Sequence, residues 1–472
     1  MPTTPSVRLA PILAVLAVAG TTFALLQAIV VPALPNIQQA LGASSSEATW
    51  ILTANLLSTA VLTPILGRAG DIRGKDRVLG LVMVALAVGT LLCALAPTLP
   101  VLLLGRAIQG AGGAVYPLAF GIVRDQFPRE RIAGAIGLVS SLVGLGAGLG
   151  LIVPGFILQD LSYHWLFWLP LAVIAATTPL TMLCIPRSPV RSPARINWGS
   201  AALMAAGLAG LLVAVSEAPS WGWVSPGTLC LFAGAAAVVA AWVRHELRSR
   251  EPLVDMRMMA GRAVWTTNLA AFMLGVGMYA SIAVIPALVE LPRSSGVGFG
   301  GTTIAAGLFM LPTAAVQLVI GPYTGRIERR IGSRAQLQAG MACVLVAYAM
   351  LLGAHGTTLE LLGPTVILGL GLGLGLSSLA NLIVAAVRQD QTGVATGVNT
   401  VMRTLGGAFG AQLATTCITA SARHGLPSDH GFTLAFGVCA GALVVGVVSA
   451  LIIPRAASGG AVVAAAVAES AS

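Results

Sequence analysis

The stretch GRAGDIRGKDR, residues Gly67–Arg77, lies between two apolar runs, Thr49–Leu66 and Val78–Ala96. A short charged segment between two runs of this length is typical of a turn that joins two membrane helices. Asp71 can cap the start of a helix and accept charge-assisted hydrogen bonds from the end of a neighbouring helix. A solvated turn whose charges only orient the chain is the alternative interpretation.

The rest of the chain has the composition of an integral membrane protein. Of its 472 residues, 57% are hydrophobic and only 9% are charged, against about 25% charged in a soluble globule. We predict an all-α membrane protein with fourteen transmembrane helices. The predicted spans are Leu9–Val31, Thr49–Leu66, Val78–Ala96, Val101–Val123, Ala133–Leu158, Trp165–Ile185, Trp198–Val215, Thr228–Val243, Val264–Leu288, Thr302–Tyr323, Leu337–Gly353, Leu361–Val387, Gly397–Ala420 and Phe432–Ile453.

Basic residues alternate along this series of spans. Of the 26 Lys and Arg, Arg293 and Arg423 fall in external loops and Arg106 and Arg403 in spans, which leaves 22 on one side. Positive charge marks the cytoplasmic side, so we expect cytoplasmic N- and C-termini in the plasma membrane. The net charge of +10 is spread over many loops, and nucleic acid is therefore not an expected partner.

The segment Gly325–Arg334, GRIERRIGSR, resembles Gly67–Arg77 and follows it by 258 residues, counted between the first glycines. This repeat predicts two pseudo-symmetric six-helix bundles, 1–186 and 263–453. A linker with two inserted helices occupies 187–262, and a cytoplasmic tail, expected to be disordered, occupies 454–472. Paired halves that bind substrate between them near the bilayer midplane are typical of secondary transporters.

Arg106 lies in the middle of a predicted span, whereas none of the 16 Asp and Glu residues does. A cation at that depth costs about 2.5–3.5 kcal/mol on insertion scales, so we interpret it as functional. Gln109 lies three residues on and shares its helix face, and Gly110, Gly112 and Gly113 allow a neighbouring backbone to approach. A structural Arg that binds backbone carbonyls is the alternative.

Polar residues inside the spans are candidates for the cargo site, and each could instead join two helices by a hydrogen bond. Sparse polar groups among apolar side chains suit a bulky amphipathic cargo. Because Arg106 attracts anions, we expect neutral or anionic lipophilic compounds, bound in a chamber whose sole ionic group is this guanidinium. Besides Arg106 and Gln109, the candidates are Gln27, Asn55, Tyr116, Asn268, Tyr279, Gln317, Asn381 and Gln412.

Several motifs resemble those of the major facilitator superfamily. Residues 67–77 are similar to its signature between helices 2 and 3, although Asp76 stands where a basic residue is usual, and 102–114 is similar to its fourth-helix motif. Residues 144–155 resemble its antiporter motif, although Leu149 replaces a proline. The resemblance implies a conformational latch at Gly67, Asp71, Arg73, Gly74, Lys75 and Arg77, and close helix packing at Gly144, Gly148, Gly150, Pro154 and Gly155.

Segments 162–168, 197–199, 216–223 and 392–407 are similar to the fourteen-spanner drug:proton antiporter branch. This resemblance implies a secondary active exporter of lipophilic small molecules or antibiotics that works by proton antiport and alternating access. Gln27 departs from it, because relatives commonly carry an Asp there and a Gln does not titrate near neutral pH. The remaining candidate proton carriers are Glu47, Asp71, Glu217, Glu290 and Asp390.

Other functions fit the chain less well. The six cysteines lie within spans, the five histidines lie at span ends or in loops, and no catalytic, metal-ligand or phosphate-binding pattern is present. We therefore expect no enzyme activity, cofactor or metal, and a monomer that binds a small molecule and protons in the lipid bilayer. A proton-independent facilitator, or an importer of a small amphipathic metabolite, is the alternative within transporters.

Overall fold

In a computed structural model, residues 9–422 and 426–454 are described, and they fold into helices. The predicted tail from residue 455 onward and Arg423 lie outside this part. The helices are α1 (Leu9–Ala28), α2 (Val30–Leu41), α3 (Ser45–Arg73), α4 (Lys75–Leu95), α5 (Leu99–Gln109), α6 (Val115–Gln126), α7 (Arg129–Asp160), α8 (Trp165–Cys184), α9 (Trp198–Trp221), α10 (Pro226–Arg248), α11 (Met256–Ala260), α12 (Arg262–Glu290), α13 (Thr303–Gly353), α14 (Thr358–Ala386), α15 (Thr392–Ala420) and α16 (Asp429–Ile452).

The prediction of an all-helical membrane protein is confirmed, but within residues 9–422 and 426–454 eleven helices, rather than fourteen, are long and apolar enough to cross a membrane. The fourth predicted span is divided, because a 3₁₀ turn at Gly110–Ala114 separates α5 from α6. The tenth and eleventh are merged in α13, across the non-helical residue Gly332. The thirteenth corresponds to α15, which carries Asn399, Arg403 and Gln412 and is not among the eleven.

Residues 67–77 are not a loop. Helix α3 continues to Arg73 and α4 begins at Lys75, so that Gly74 alone joins them, with φ at +104°. Gly332, which has the corresponding place in the second copy, has φ at +83°. Glycine adopts these left-handed angles at no steric cost, which explains how two long helices follow one another with almost no connection.

Helices α9 and α10 form a hairpin that lies against α3 and α15. Buried apolar side chains of α9 pack with Ala60 of α3 and with Val398 and Leu405 of α15. At the far end of α9, the hydroxyls of Thr53 and Ser216 are 3.0 Å apart, and Trp223 Nε1 donates to Thr416 Oγ1 at 2.9 Å. The hairpin therefore contacts both the N-terminal helices (α1–α8) and the C-terminal helices (α12–α16).

Glu246 fixes the connection that leaves this hairpin. The side chain is only 3% exposed, and its carboxylate accepts hydrogen bonds from the backbone N–H groups of Leu253 and Val254, at 3.0 and 3.2 Å. It also accepts from Ser200 Oγ and from Trp242 Nε1, the latter at 3.1 Å. One buried acid thus joins α9, α10 and the segment that leads to α11.

We expect Glu246→Ala to lower the thermal stability of the purified protein. The change leaves two buried N–H groups without their acceptor, and each such loss costs about 1–3 kcal/mol. Thermal melting followed by size-exclusion chromatography measures the effect, and Glu251→Ala, on an exposed side chain two residues before Leu253, is the control. Equal melting temperatures for the two variants would contradict the assigned role.

Candidate functional site

A cavity of about 250 Å³ lies between the N-terminal helices, the hairpin and the C-terminal helices. It is lined by the end of α1, the starts of α2 and α3, Arg106 of α5, the end of α9 and the second halves of α12 and α15. Thr49 and Thr415, at its rim, are exposed, whereas Arg106 at its base is 1% exposed. The cavity therefore opens at the end of the bundle where α3 begins, which we name the Thr49 end.

Arg106 is held by hydrogen bonds rather than by an acid. Its Nε donates to the carbonyl of Ile51 at 3.2 Å, and its Nη1 donates to the carbonyl of Leu26 at 3.1 Å and to Gln109 Oε1 at 2.8 Å. Among the described residues nothing accepts from Nη2. A guanidinium has five N–H donors, so the Nη2 edge remains available to a molecule in the cavity.

The local sequence explains how this cation is buried. Gly105 and Gly110 lie where α5 meets its neighbours: a Cβ on Gly105 would be 2.8 Å from the carbonyl oxygen of Gly89, and one on Gly110 would overlap the side chain of Ser58. Small residues therefore let the helices approach until Asn55 Nδ2 reaches the carbonyl of Arg106, at 3.1 Å. Arg106 binds backbone carbonyls of α1 and α3, as the structural interpretation expects, and it also lines the cavity, so that its functional role stays a prediction.

Five of the predicted site residues line this cavity. They are Gln27, Asn55, Arg106, Tyr279 and Gln412. Among the described residues, no partner accepts from or donates to the side chains of Gln27, Tyr279 and Gln412. The sequence analysis missed the hydroxyl residues of the lining, Thr49, Thr53, Ser216 and Thr415, because hydroxyls are common throughout the spans.

The other five predicted site residues lie elsewhere. Gln109 is not part of the cavity lining: its Oε1 accepts from Arg106, and its Nε2 donates to Thr90 Oγ1 at 3.0 Å. Asn268 Oδ1 accepts from Asn399 at 2.9 Å, and Asn381 donates to Glu328. Tyr116 and Gln317 line two smaller cavities of about 30 Å³ each.

Acidic side chains are absent from the described lining of the main cavity. Of the five candidate proton carriers, Glu47, Glu217, Glu290 and Asp390 are exposed or half-buried, and Asp71 is completely buried. Two acids with buried side chains were not predicted as site residues: Asp125, whose side chain is 1% exposed, and Glu246, at 3%. Asp125 has a signal in the sequence, because the Arg124–Asp125 pair directly follows the fourth predicted span.

Asp71 lies at the opposite end of the bundle, which we name the Asp71 end. Its two carboxylate oxygens accept the backbone N–H groups of Gly393 and Val394, both at 2.9 Å. These are the first free N–H groups of α15, where the helix dipole favours a negative charge. Gly67, one turn earlier, is packed directly against Gly393. The side chain is therefore not part of a solvated turn, and it ties α3 to the C-terminal helices.

Further contacts cross at the same end. Arg124 donates to Thr392 Oγ1 at 2.7 Å and to the carbonyl of Val387 at 2.9 Å, and Gln389 donates to Asp125 Oδ1 at 3.0 Å. Lys75 Nζ is 2.8 Å from Asp125 Oδ2. Lys75 thus joins α4 to α6 within the N-terminal helices, and side chains of α3 and α6 close the Asp71 end against the start of α15 and the turn before it.

Two predicted latch residues do not take part. Arg73 and Arg77 are exposed, and among the described residues neither has a recorded partner. Asp76, which stands where the family usually has a basic residue, accepts the N–H of Ser188 at 2.9 Å, while Ser188 Oγ accepts the N–H of Lys75, also at 2.9 Å. Asp76 therefore stabilises the structure here, because it fixes the linker after α8 against the start of α4.

The glycines of α7 lie at two helix interfaces. Gly144, Gly148 and Gly155 face α13, where a Cβ would overlap Gln317, Ala314 and Ile304 respectively, and Gly150 faces Ala28 of α1. Pro154 is buried within α7. This helix therefore packs closely between the N-terminal and the C-terminal helices along most of its length.

Comparison with known proteins shows the family and the fold of this chain. The family model described as the Major Facilitator Superfamily matches residues 16–411. The crystal structure of the human organic anion transporter MFSD10 (TETRAN) resembles the fold with a TM-score of 0.67, over 95% of this chain and 100% of that one, at 16% sequence identity.

The chain matches only part of the length of its curated relatives. An uncharacterised MFS-type transporter of Mycobacterium tuberculosis is 28% identical over 389 residues, which cover 81% of this chain but only 56% of that relative. The multidrug transporter MdtP of Bacillus subtilis is 25% identical, over 81% of this chain and 70% of its own length. A probable actinorhodin transporter of Streptomyces coelicolor is 28% identical, over 79% and 66%.

Proposed function

We propose that this chain, which belongs to the Major Facilitator Superfamily, is a secondary active efflux transporter that exports lipophilic small molecules or antibiotics across the plasma membrane. Members of this superfamily are transporters rather than enzymes. The observation that carries the proposal is a cavity that opens at the Thr49 end while the Asp71 end is closed. Such an arrangement is one of the two states that alternating access requires.

The proposed topology has fourteen crossings. We count Leu99–Gln126 as one broken crossing, α13 as two that meet at Gly332, and α15 as one, in addition to the remaining ten helices of adequate length. The two six-helix bundles, 1–186 and 263–453, then flank the inserted hairpin in 187–262. Basic side chains gather at the Asp71 end, so we place that end, with both termini, in the cytoplasm. We further propose that the transporter acts as a monomer.

The lining of the cavity supports an amphipathic cargo that is neutral or anionic. Apolar side chains of α3, α9, α12 and α15 supply most of the wall, and Gln27, Tyr279 and Gln412 offer hydrogen bonds. Arg106 is the one charged group among the described lining residues. A cation would meet no compensating carboxylate there, whereas an anion would meet the Nη2 edge.

Proton antiport requires a group that titrates, and we propose Asp71 for this role. It is the one fully buried acid among the five candidates. The proton would reach Asp71 from the Thr49 end while the Asp71 end is closed, and it would weaken the charge-assisted hydrogen bonds to Gly393 and Val394. The Asp71 end would then open and the proton would leave on that side, so that one proton crosses as the cargo moves the other way. The cargo would then bind at the Thr49 end and the proton at the Asp71 end. The two are coupled because each favours the state in which one particular end is closed.

Transport into inside-out membrane vesicles tests the function. The neutral methyl ester of pyrenebutyrate is a suitable probe, because a pH gradient does not trap it passively. We expect accumulation that depends on an acidic lumen, and none in vesicles that lack the chain. Entry that is faster than in vesicles lacking the chain, that stops at the outside concentration and that persists when the gradient is collapsed would favour the proton-independent facilitator. Loss of ester from preloaded vesicles that is faster than from vesicles lacking the chain would favour an importer.

We expect Gln27→Asp to change the charge preference of the cavity. The new carboxylate would lie in the same lining as Arg106 and offset its charge, so export of lipophilic cations relative to anions should rise about tenfold, the change that about 1.4 kcal/mol produces. Paired export assays with pyrenebutyrate and a lipophilic cation measure the ratio. Gln27→Asn, which keeps an uncharged amide, is the control, and an unchanged ratio in Gln27→Asp would contradict the role of charge.

A further inference from the structure

A second, smaller cavity lies deeper in the bundle than the main one. Its volume is about 30 Å³, and it is lined by α6, α7, α14 and α15. Its polar lining residues are Tyr116, Ser140, Asn399, Thr400 and Arg403. Arg403 lies one helical turn, about 5.4 Å, from Gly407, which lines the main cavity on the same face of α15. The two cavities therefore succeed one another along α15, toward the Asp71 end.

Arg403 differs from Arg106 in its partners. Its recorded contact is between Nη1 and Sδ of Met278, at 3.8 Å, and a thioether is a weak acceptor. Among the described residues no oxygen accepts from this guanidinium, whereas Arg106 has two carbonyls and an amide oxygen. Arg403 is half-buried in a membrane helix, where a cation that lacks acceptors is costly, so its acceptors come from outside the chain, as water or as a bound group.

Ser140 is a second group without a partner. Its side chain is 2% exposed, and its Oγ is buried without any hydrogen bond. Thr400 and Tyr116 are already satisfied as donors, the latter through the carbonyl of Gly20 at 2.7 Å. Asn399 uses one N–H on Asn268, which leaves its second N–H and its Oδ1 without a partner among the described residues. Since none of the described lining residues is acidic, the unused donors belong to a guanidinium, a hydroxyl and an amide, a combination that suits an anion.

We propose that Arg403 and Ser140 form a subsite for the anionic group of the cargo, a carboxylate or an oxyanion of similar size. This assignment rests on the proposed function, and it names the cargo as an amphipathic organic anion. A space of about 30 Å³ holds one or two water molecules or one such group, but not a ring system. The apolar body of the cargo accordingly remains in the main cavity while its charged end reaches one turn deeper.

Equilibrium binding to the purified full chain tests the subsite. The probes are tritiated pyrenebutyrate and its tritiated methyl ester, which share one apolar body and differ in charge. We expect Arg403→Gln to weaken binding of the anion at least about tenfold, and binding of the ester less than about twofold, because a hydrogen bond to a charged group is lost only for the anion. Arg403→Lys should retain most of the anion binding.

Matched controls show whether Arg403 acts on the anion itself. Arg244→Gln removes a cation from an exposed position of α10 and should bind both probes as the unchanged chain does. Ser140→Ala should weaken binding of the anion alone. If Arg403→Gln weakens binding of both probes equally, Arg403 has a structural role and the proposal is overturned. The proposal is also overturned if Arg403→Gln binds the anion as strongly as the unchanged chain does.

Two further measurements identify the anion that occupies the subsite and distinguish failure of the subsite proposal from failure of the proposed export function. If chloride at about 0.15 M displaces pyrenebutyrate from the unchanged chain, when gluconate does not, then an inorganic anion occupies the subsite and the cargo assignment is overturned. Because binding is measured without transport, the export function can fail in vesicles while Arg403-dependent binding persists. Conversely, export of the ester can persist when the subsite assignment fails.

Discussion

Replacing Gly67 with valine is expected to abolish transport while the protein still reaches the membrane. A Cβ at this position would overlap the backbone carbonyl of Gly393, which cannot rotate away as a side chain can. Asp71 lies one turn further along the same face of α3, so displacement of α15 also removes the acceptor from Gly393 and Val394. Overpacking costs about 1–3 kcal/mol, and each charge-assisted hydrogen bond lost adds about 1.5–3 kcal/mol.

The closed population of the Asp71 end should therefore fall about 100-fold or more. Vesicle uptake measures the loss of transport, and maleimide labelling of Val394→Cys, whose side chain is 1% exposed at the closed end, measures the opening. Gly441→Val is the control, because a Cβ at Gly441 meets no atom within 4 Å. Transport by Gly67→Val at the rate of the unchanged chain would show that closure at Gly67–Gly393 is not part of the cycle.

Much of the fold could be predicted because a membrane imposes length and polarity on each helix. The prediction fails where glycine or polar content hides a helix from a hydropathy count, as at Gly110–Ala114 and in α15. It also fails where a single residue joins two helices: Gly74 and Gly332 replace the loops that the charged repeat was expected to form. A charged segment indicates that a membrane helix ends, but it does not indicate how many residues the connection needs.

The candidate site was predictable in its residue types and less so in its contacts. The amides that line the cavity were predicted, because uncharged polar groups inside spans are few. Sequence could not distinguish them from Asn268 and Asn381, whose partners Asn399 and Glu328 are distant along the chain. The partner of Asp71 is some 322 residues away and is a pair of backbone groups, which carry no sequence signal.

The two arginines illustrate the same limit. Arg106 was expected to be the sole ionic group of the chamber, and it is the one charged group among the described lining residues of the main cavity. Arg403 lines the second cavity without an oxygen acceptor among the described residues. Both stand in apolar helices next to small residues, so their sequences look alike. What separates them is the carbonyl groups that α1 and α3 present to Arg106 alone.

Replacing Arg106 with leucine is expected to abolish transport and also to destabilise the protein. The carbonyls of Leu26 and Ile51 and the amide oxygen of Gln109 would each lose a donor in a buried position. At about 1–3 kcal/mol for each unsatisfied group, the loss is about 3 kcal/mol or more. The melting temperature of the purified variant measures it, with Arg77→Leu, on an exposed side chain, as the control.

Arg106→Lys separates the two roles of this residue. A lysine keeps the charge but has one ammonium group in place of a planar fork, so it can donate to some of the three acceptors and cannot also present an Nη2 edge to the cavity. We expect it to recover most of the lost stability and to bind pyrenebutyrate more weakly than the unchanged chain. If Arg106→Lys restores stability and anion binding equally, anion binding depends only on the charge of this residue and not on its Nη2 edge. If Arg106→Leu melts at the temperature of the unchanged chain, the hydrogen bonds to α1 and α3 do not hold the site together.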